Sequence, residues 1–281
     1  MSAAGSTRNL SSPSGDQPGL PARSLRYVLA NWKMYPTVDE ALAVLDAIQS
    51  GLRQRLESGL TLPRVIVCPP FVALAPLRAV VDDRVVRLGA QNCHWERTGP
   101  YTGEISPAML TGLVEYVMVG HSERAGQGDT DERVAHKLAA VADCGLVPIL
   151  FVGEDDRGDD GVHRAEYRLR QRLSEVDVET RSLVVVYEPT WAIGATRAAP
   201  AHHIRRIVEH LKDVLRSLGS TDPEILYGGA VADENIDELA RLEMLDGVGA
   251  TRASLDPDRF LRIIDRVVRH SVDPAKSDRP E

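Results

Sequence analysis

Short apolar runs alternate with longer amphipathic stretches along most of the chain. The runs LRYVLANW, RVIVCPP, VVRLGAQN, EYVMVGH, LVPILFVG, LVVVYEP, EILYGG and LDGVGA have the length and composition of strands. Between them, helical spacing predicts helices starting near Val38, Phe71, Ser106, Thr130, Arg164, His202, Asp233 and Asp258. TVDEALAVLDAIQSGL places its apolar residues on one helical face, and TDERVAHKLAAVADCG opens on Thr130-Asp131 and closes on Gly145 as a C-cap. Eight strand–helix pairs over about 250 residues fit a single closed (β/α)8 barrel of the α/β class. A doubly wound open sheet is the alternative, but no G-x-G-x-x-G follows the first strand. The joints between elements are short, so one barrel over residues 23–270 is expected, without a second domain.

Residues 1–22, rich in Ser, Gly, Pro and Ala, read as a disordered tail, and residues 271–281 as a polar tail. The N-terminal stretch lacks the apolar core of a secretory signal and is poor in arginine for a transit peptide. A 281-residue chain with 43% hydrophobic residues can bury a full core. Its net charge of −8 argues against a general nucleic-acid surface, so an anionic ligand needs a local cluster of donors. Cys68, Cys93 and Cys144 are odd in number and scattered, which suits a reduced cytoplasmic protein. No apolar run approaches the ~20 residues of a membrane span. The pairs His202-His203 and His163 with Glu166 lack further ligands at suitable spacing, so no metal is expected. Arg205-Arg206 and the arginines from Arg262 to Arg269 read as solvated helix faces.

In a barrel of this kind, chemistry gathers where strands end. The first run ends in Asn31-Trp32-Lys33, the fourth in Gly120-His121-Ser122-Glu123 and the sixth in Glu188-Pro189. The seventh ends in Gly228-Gly229-Ala230 and the eighth in Ala250-Thr251-Arg252. Each charged residue alone has an ordinary explanation: Lys33 a solvated strand end, His121 a structural histidine, Glu188 half of an ion pair. Placed together on one rim, Lys33, His121 and Glu188 form an acid–base set.

The motifs NWKM, GHSER, YEPTWAIG and YGGAV, in that order, resemble the triosephosphate isomerase family, and AQNCHWERTGPYTGEISPAML resembles its third βα loop. The resemblance covers roughly residues 25–268. It implies an aldose–ketose phosphate isomerase working through an enediol or enediolate, with no cofactor. By that resemblance Glu188 is the base, His121 the electrophile at the amide end of a short helix, and Lys33 the positive charge near phosphate and oxyanion. Asn31 would orient substrate and Lys33, and Glu123 would assist. Residues 190–196 resemble a lid that offers the Gly194 N–H to phosphate and excludes water on closing. The third loop implies a homodimer in which Thr102 approaches the partner's site.

The pattern departs from the family mainly at the phosphate site. Ala195-Thr196 stands where Thr-Gly is common, Ala230 where a serine is usual, and Thr251-Arg252 where two glycines are usual. Ala230, Thr251 and Arg252 are therefore expected to line the substrate site with altered contacts. Arg252 could pair with phosphate, face solvent or block the pocket. Beyond GHSER, Ala125 replaces a usual arginine and the following loop looks one residue short. An arginine in the last phosphate loop, together with NCHW, also resembles isomerases of four-carbon ketose phosphates. Three readings follow: a triose-phosphate isomerase first, an L-erythrulose 1-phosphate type isomerase second, and a noncatalytic sugar-phosphate sensor or scaffold third.

Overall fold

The computed structural model describes residues 25–158, 160–195 and 197–272. The stretch read as an N-terminal tail, most of the C-terminal tail, and Thr196 of the stretch read as a lid lie outside the described residues. Eight parallel strands close on themselves in sequence order: β1 (Tyr27–Asn31), β2 (Arg64–Cys68), β3 (Arg87–Ala90), β4 (Tyr116–Val119), β5 (Val147–Val152), β6 (Val184–Tyr187), β7 (Glu224–Tyr227) and β8 (Gly247–Ala250). The ring shuts where Tyr27 pairs with Gly247 on one side of β1 and with Arg64 on the other.

Strand parity divides the core in two. Tyr27, Leu29, Ile66, Cys68, Tyr116, Met118, Ile149, Phe151, Val184, Val186 and Leu226 pack together as one apolar cluster, which fills the barrel. Their neighbours Val28, Ala30, Val65, Val67, Val117, Val119, Leu150 and Val185 join a second cluster with the helices. The runs are buried on both faces, which is why they read as continuously apolar.

The principal outer helices are α1 (Val38–Glu57), α2 (Phe71–Val80), α5 (Asp131–Asp143), α6 (Gly161–Arg172), α7 (Ala201–Ser217) and α9 (Pro257–Val272). Short helices α3 (Pro107–Leu110), α4 (Ser122–Ala125) and α8 (Ile236–Ala240) fill the remaining connections. Helix α1 starts at a capping box, with Thr37 and Glu40 each bonding the other's backbone N–H. Thr130 caps α5 through the Arg133 N–H.

Three boundaries differ from the periodicity, the first being helix α6, which begins at Gly161, three residues before Arg164. Helix α8 begins at Ile236, three residues late, because Asp233 is turned toward α9 and pairs with Arg259 and Arg262. Helix α9 runs two residues into the stretch read as tail. There Ser271 is buried and bonds the Val267 carbonyl, while His270 meets Asp237 at 2.9 Å. Among the described residues, no helix is long and apolar enough to cross a membrane.

Candidate active site

Strand parity also aims the first site residues. Asn31 continues the inward series Tyr27, Leu29, and Glu188 continues Val184, Val186, so both stand at the barrel mouth. Lys33 follows β1 at φ 49°, the only positive φ of a non-glycine residue among those described. That conformation costs about 1–2 kcal/mol and must be held by its surroundings. Asn31 Oδ1 accepts from the Lys33 N–H at 2.9 Å, and Gln91 donates to the carbonyls of Lys33 and Cys68 at 2.8 and 2.9 Å. The Lys33 ammonium is paired with Glu123.

His121 leaves β4 and caps α4. Its Nδ1 accepts the Glu123 backbone N–H at 3.2 Å, which assigns the ring proton of the neutral imidazole to Nε2. Nε2 lies 3.1 Å from Glu188 Oε1. The other carboxylate oxygen, Oε2, accepts the Ser122 N–H at 3.0 Å. The Phe151 ring lies against the imidazole, with centroids 4.9 Å apart. Lys33, Glu123, His121 and Glu188 therefore form one connected polar line, with His121 and Glu188 both buried.

The segment after Glu188 is anchored in an open-ended way. Thr190–Ala192 forms a short 3-10 turn. The Thr190 N–H and hydroxyl both donate to the Glu154 carbonyl at 3.1 Å, and the Trp191 indole donates to Glu154 Oε1 at 2.9 Å. Tyr187 and His203 converge on the same oxygen at 2.9 and 2.8 Å, while Arg157 stacks over the indole at 4.2 Å. Gly194, at φ 73°, supplies the turn that a side chain would resist.

The side that the sequence leads one to expect at the phosphate is built differently. Ala230 follows β7, and its carbonyl accepts from Asn235 at 2.8 Å. Thr251 precedes a 3-10 turn over Arg252–Leu255. Arg252 is exposed and reaches across the mouth to the Ala195 carbonyl at 3.5 Å, so it bridges the eighth loop and the rear of the lid. Beneath it, Ser254 is fully buried and its carbonyl accepts from the Trp32 indole at 3.2 Å, joining the first and eighth loops. Thr102 does not meet these groups within its own chain. It is exposed in the β3–α3 loop, whose base is closed by His94 N–H to Ile105 O at 2.8 Å and by stacking of His94 on Trp95.

A cavity of about 510 Å³ opens on the other side of Glu188, lined by Ser122, Ala125, Asp131, Gly153, Arg168 and Arg172 among others. Gln91, Glu154 and Arg172 are not singled out by sequence, and His203 is weighed there only as a metal ligand. Gln91 directly follows β3 and Glu154 stands two residues after β5, and a survey of all eight ends would have found both. Arg172 carries no such signal, being one of several arginines on α6.

Such a mouth suits proton transfer next to a carbonyl, and the class it defines is an intramolecular isomerase on a (β/α)8 frame. The sequence model described as triosephosphate isomerase matches residues 26–267. The triosephosphate isomerase of Trichodesmium erythraeum is 39% identical over 240 residues, covering 84% of this chain and 97% of that protein. That of Synechococcus is 40% identical over 242 residues, covering 84% and 95%. The crystal structure of triosephosphate isomerase from Bartonella henselae superposes with a TM-score of 0.77 at 28% identity, covering 88% of this chain and 99% of that one. The chain belongs to the triosephosphate isomerase family and is an isomerase.

Proposed function

We propose that the chain interconverts glyceraldehyde 3-phosphate and dihydroxyacetone phosphate. The observation that carries this reading is the junction of His121 Nε2 with Glu188 Oε1 at 3.1 Å, on a line that continues to Lys33. Glu188 takes the proton from the carbon beside the carbonyl, and the C–H electron pair moves to form the enediolate. The carbonyl oxygen gains negative charge and is met by the His121 Nε2–H, while Lys33 balances charge nearby. His121 gives its Nε2 proton to that oxygen and takes the hydroxyl proton from the neighbouring one, and as the second oxygen becomes the new carbonyl Glu188 returns the carbon proton to the adjacent carbon. In the described state both carboxylate oxygens are engaged, one by His121 and one by Ser122. Substrate must therefore take over the imidazole N–H as the carboxylate moves onto carbon. Asn31 holds the Lys33 backbone, Glu123 sets the ammonium, and the lid brings Gly194 toward the phosphate.

Arg252 gives specific support to a second substrate. It extends over the mouth where the family's glycines leave open backbone, so a longer ketose phosphate such as L-erythrulose 1-phosphate is the alternative. The test is kcat/KM of the purified protein on glyceraldehyde 3-phosphate and on L-erythrulose 1-phosphate. A higher value on the triose is expected, and a thousandfold preference for the tetrulose would overturn the first assignment.

A homodimer goes with this reading. Met34 and Tyr35, 94% and 61% exposed, lie beside the first loop, and Tyr101 and Met109 are exposed near the third. A partner's third loop covering such a surface would bring Thr102 toward the neighbouring site. The three free cysteines are consistent with a cytoplasmic enzyme.

A further inference from the structure

Arg172 closes α6 with its side chain only 8% exposed, unusual for an arginine on an outer helix. Its guanidinium makes three kinds of contact. Nη1 donates to the Gly120 carbonyl at 3.0 Å and to the Phe151 carbonyl at 2.6 Å, and Nε donates to Asp131 Oδ1 at 2.7 Å. Gly120 immediately precedes His121, and Phe151 is the residue whose ring lies against the imidazole. One guanidinium thus ties together the two backbones that aim and back the electrophile. Gly120 sits at φ 78°, and a Cβ there would stand 2.8 Å from Arg172 Nη1, so the chain is open at this point to admit the arginine.

The same guanidinium lies on the wall of the 510 Å³ cavity that Glu188 also lines, and Ala125 keeps the facing wall small. The charged groups around it come from several elements: Asp129 before α5, Asp131 on α5, Asp155 after β5, Arg168 on α6, and Glu188. Asp129 is already paired with Lys137, and Asp155 with Arg168. Asp131 and Glu188 are the carboxylates whose charge favours the ionised form of Arg172, against a burial that presses its pKa down.

We infer that Arg172 is a positioning residue for the proton-transfer pair. It holds the strand ends that carry His121 and Phe151 and places a fixed positive charge beside Glu188. This rests on the isomerase site assigned above. A planar fork with three donors in use suits the task, and a lysine would supply the charge without the fork.

The experiment compares wild type, Arg172→Ala, Arg172→Lys and the site control Glu188→Gln in one isomerase assay across pH. Active wild type with inactive E188Q secures the site reading independently of Arg172. For R172A, kcat should fall by about tenfold to a hundredfold, as expected for a slightly misplaced catalytic group, with KM nearly unchanged. The acid limb of kcat/KM should move to higher pH because the carboxylate loses a neighbouring cation. R172K should recover the limb more fully than the rate. Low millimolar guanidinium ion should restore part of the R172A rate through the open cavity. The ring ¹⁵N signals of His121, assigned with His121→Gln, should shift in R172A, and they read the placement without turnover. Should R172A not fold, Asp131→Asn keeps the guanidinium and removes its counter-charge, and the acid limb should move to lower pH. The inference is overturned by an R172A enzyme whose kcat, acid limb and His121 signals match wild type, or whose loss only tracks unfolded protein. An unmoved limb in D131N overturns it equally.

Discussion

The two sides of the barrel mouth are made of different material. On the side proposed for proton transfer, Lys33, Glu123, His121 and Glu188 meet through side chains and helix amides, buried against Phe151 and braced by Gln91 and Arg172. On the side proposed to meet phosphate, Gly194, Ala195, Ala230 and Thr251 offer mainly backbone, and the one large side chain, Arg252, is exposed with a long contact to Ala195 among the described residues. Side-chain chemistry tolerates no exchange at its few positions. Backbone recognition of an anion depends on local dihedral freedom and space, and several residues satisfy it. The first side therefore keeps Lys33, His121 and Glu188 as the resemblance expects, although Ala125 beside it differs, while the second departs at several positions.

Breaking the first side should have the largest effect. Glu188→Gln preserves size and can still accept the Ser122 N–H through its carbonyl, but it cannot take a proton from carbon. Turnover should fall about a thousandfold, the range for loss of a positioned general base. Binding of inorganic phosphate should change by no more than about twofold, since the amide leaves the phosphate side untouched. Steady-state kinetics with a phosphate-competition assay checks both. Equal loss of binding would show that the two sides are not separable.

The phosphate side should respond in KM. If Arg252 turns from the Ala195 carbonyl to the incoming phosphate, it forms a charge-assisted pair. Arg252→Ala should then raise KM by about tenfold, the lower end for a lost hydrogen bond to a charged group, with kcat within about twofold. The effect should shrink as salt is raised, because the residue is exposed. A KM independent of Arg252 and of salt would assign phosphate binding to backbone alone.

This contrast also sets what the sequence makes legible. Eight apolar runs specify eight strands, since a parallel strand buried on both faces cannot be polar in its middle. Glu188 and Asn31 are legible because they interrupt inward-facing positions of such runs at the mouth. His121 stands out at a strand end, but its tautomer comes from Nδ1 capping α4, a relation of backbone to side chain that spacing does not specify. Arg172 is hidden for another reason. Its neighbours Arg168 and Arg170 share its type and helix, and only the rotation of α6 against the strands decides that Arg172 is the buried one. Arg252 is visible as a departure from the family, yet its direction toward Ala195 depends on the turn at Arg252–Leu255.

The smallest effect should come from the support beneath the phosphate side. Asp233, in the loop carrying Ala230, accepts from Arg259 at 2.6 Å and from Arg262 at 3.0 Å, bolting that loop to α9. Burial raises the carboxyl's pKa, but the two arginine hydrogen bonds outweigh it and hold the value at about 2. A depressed folded value adds stability above the unfolded pKa, and that stability is lost as pH falls through the folded one. With an unfolded value near 3.9, the contribution is complete at pH 7 and about half gone at pH 3. Asp233→Asn should lower Tm at pH 7 by about 2–4 °C, the shift that about 1 kcal/mol makes in a domain of this size. The difference from wild type should narrow toward pH 3, followed by calorimetry at matched ionic strength. Because the loop carries Ala230, on the side proposed to meet phosphate, D233N should alter KM before kcat. A fall in kcat with KM unchanged would instead tie this loop to the proton-transfer side.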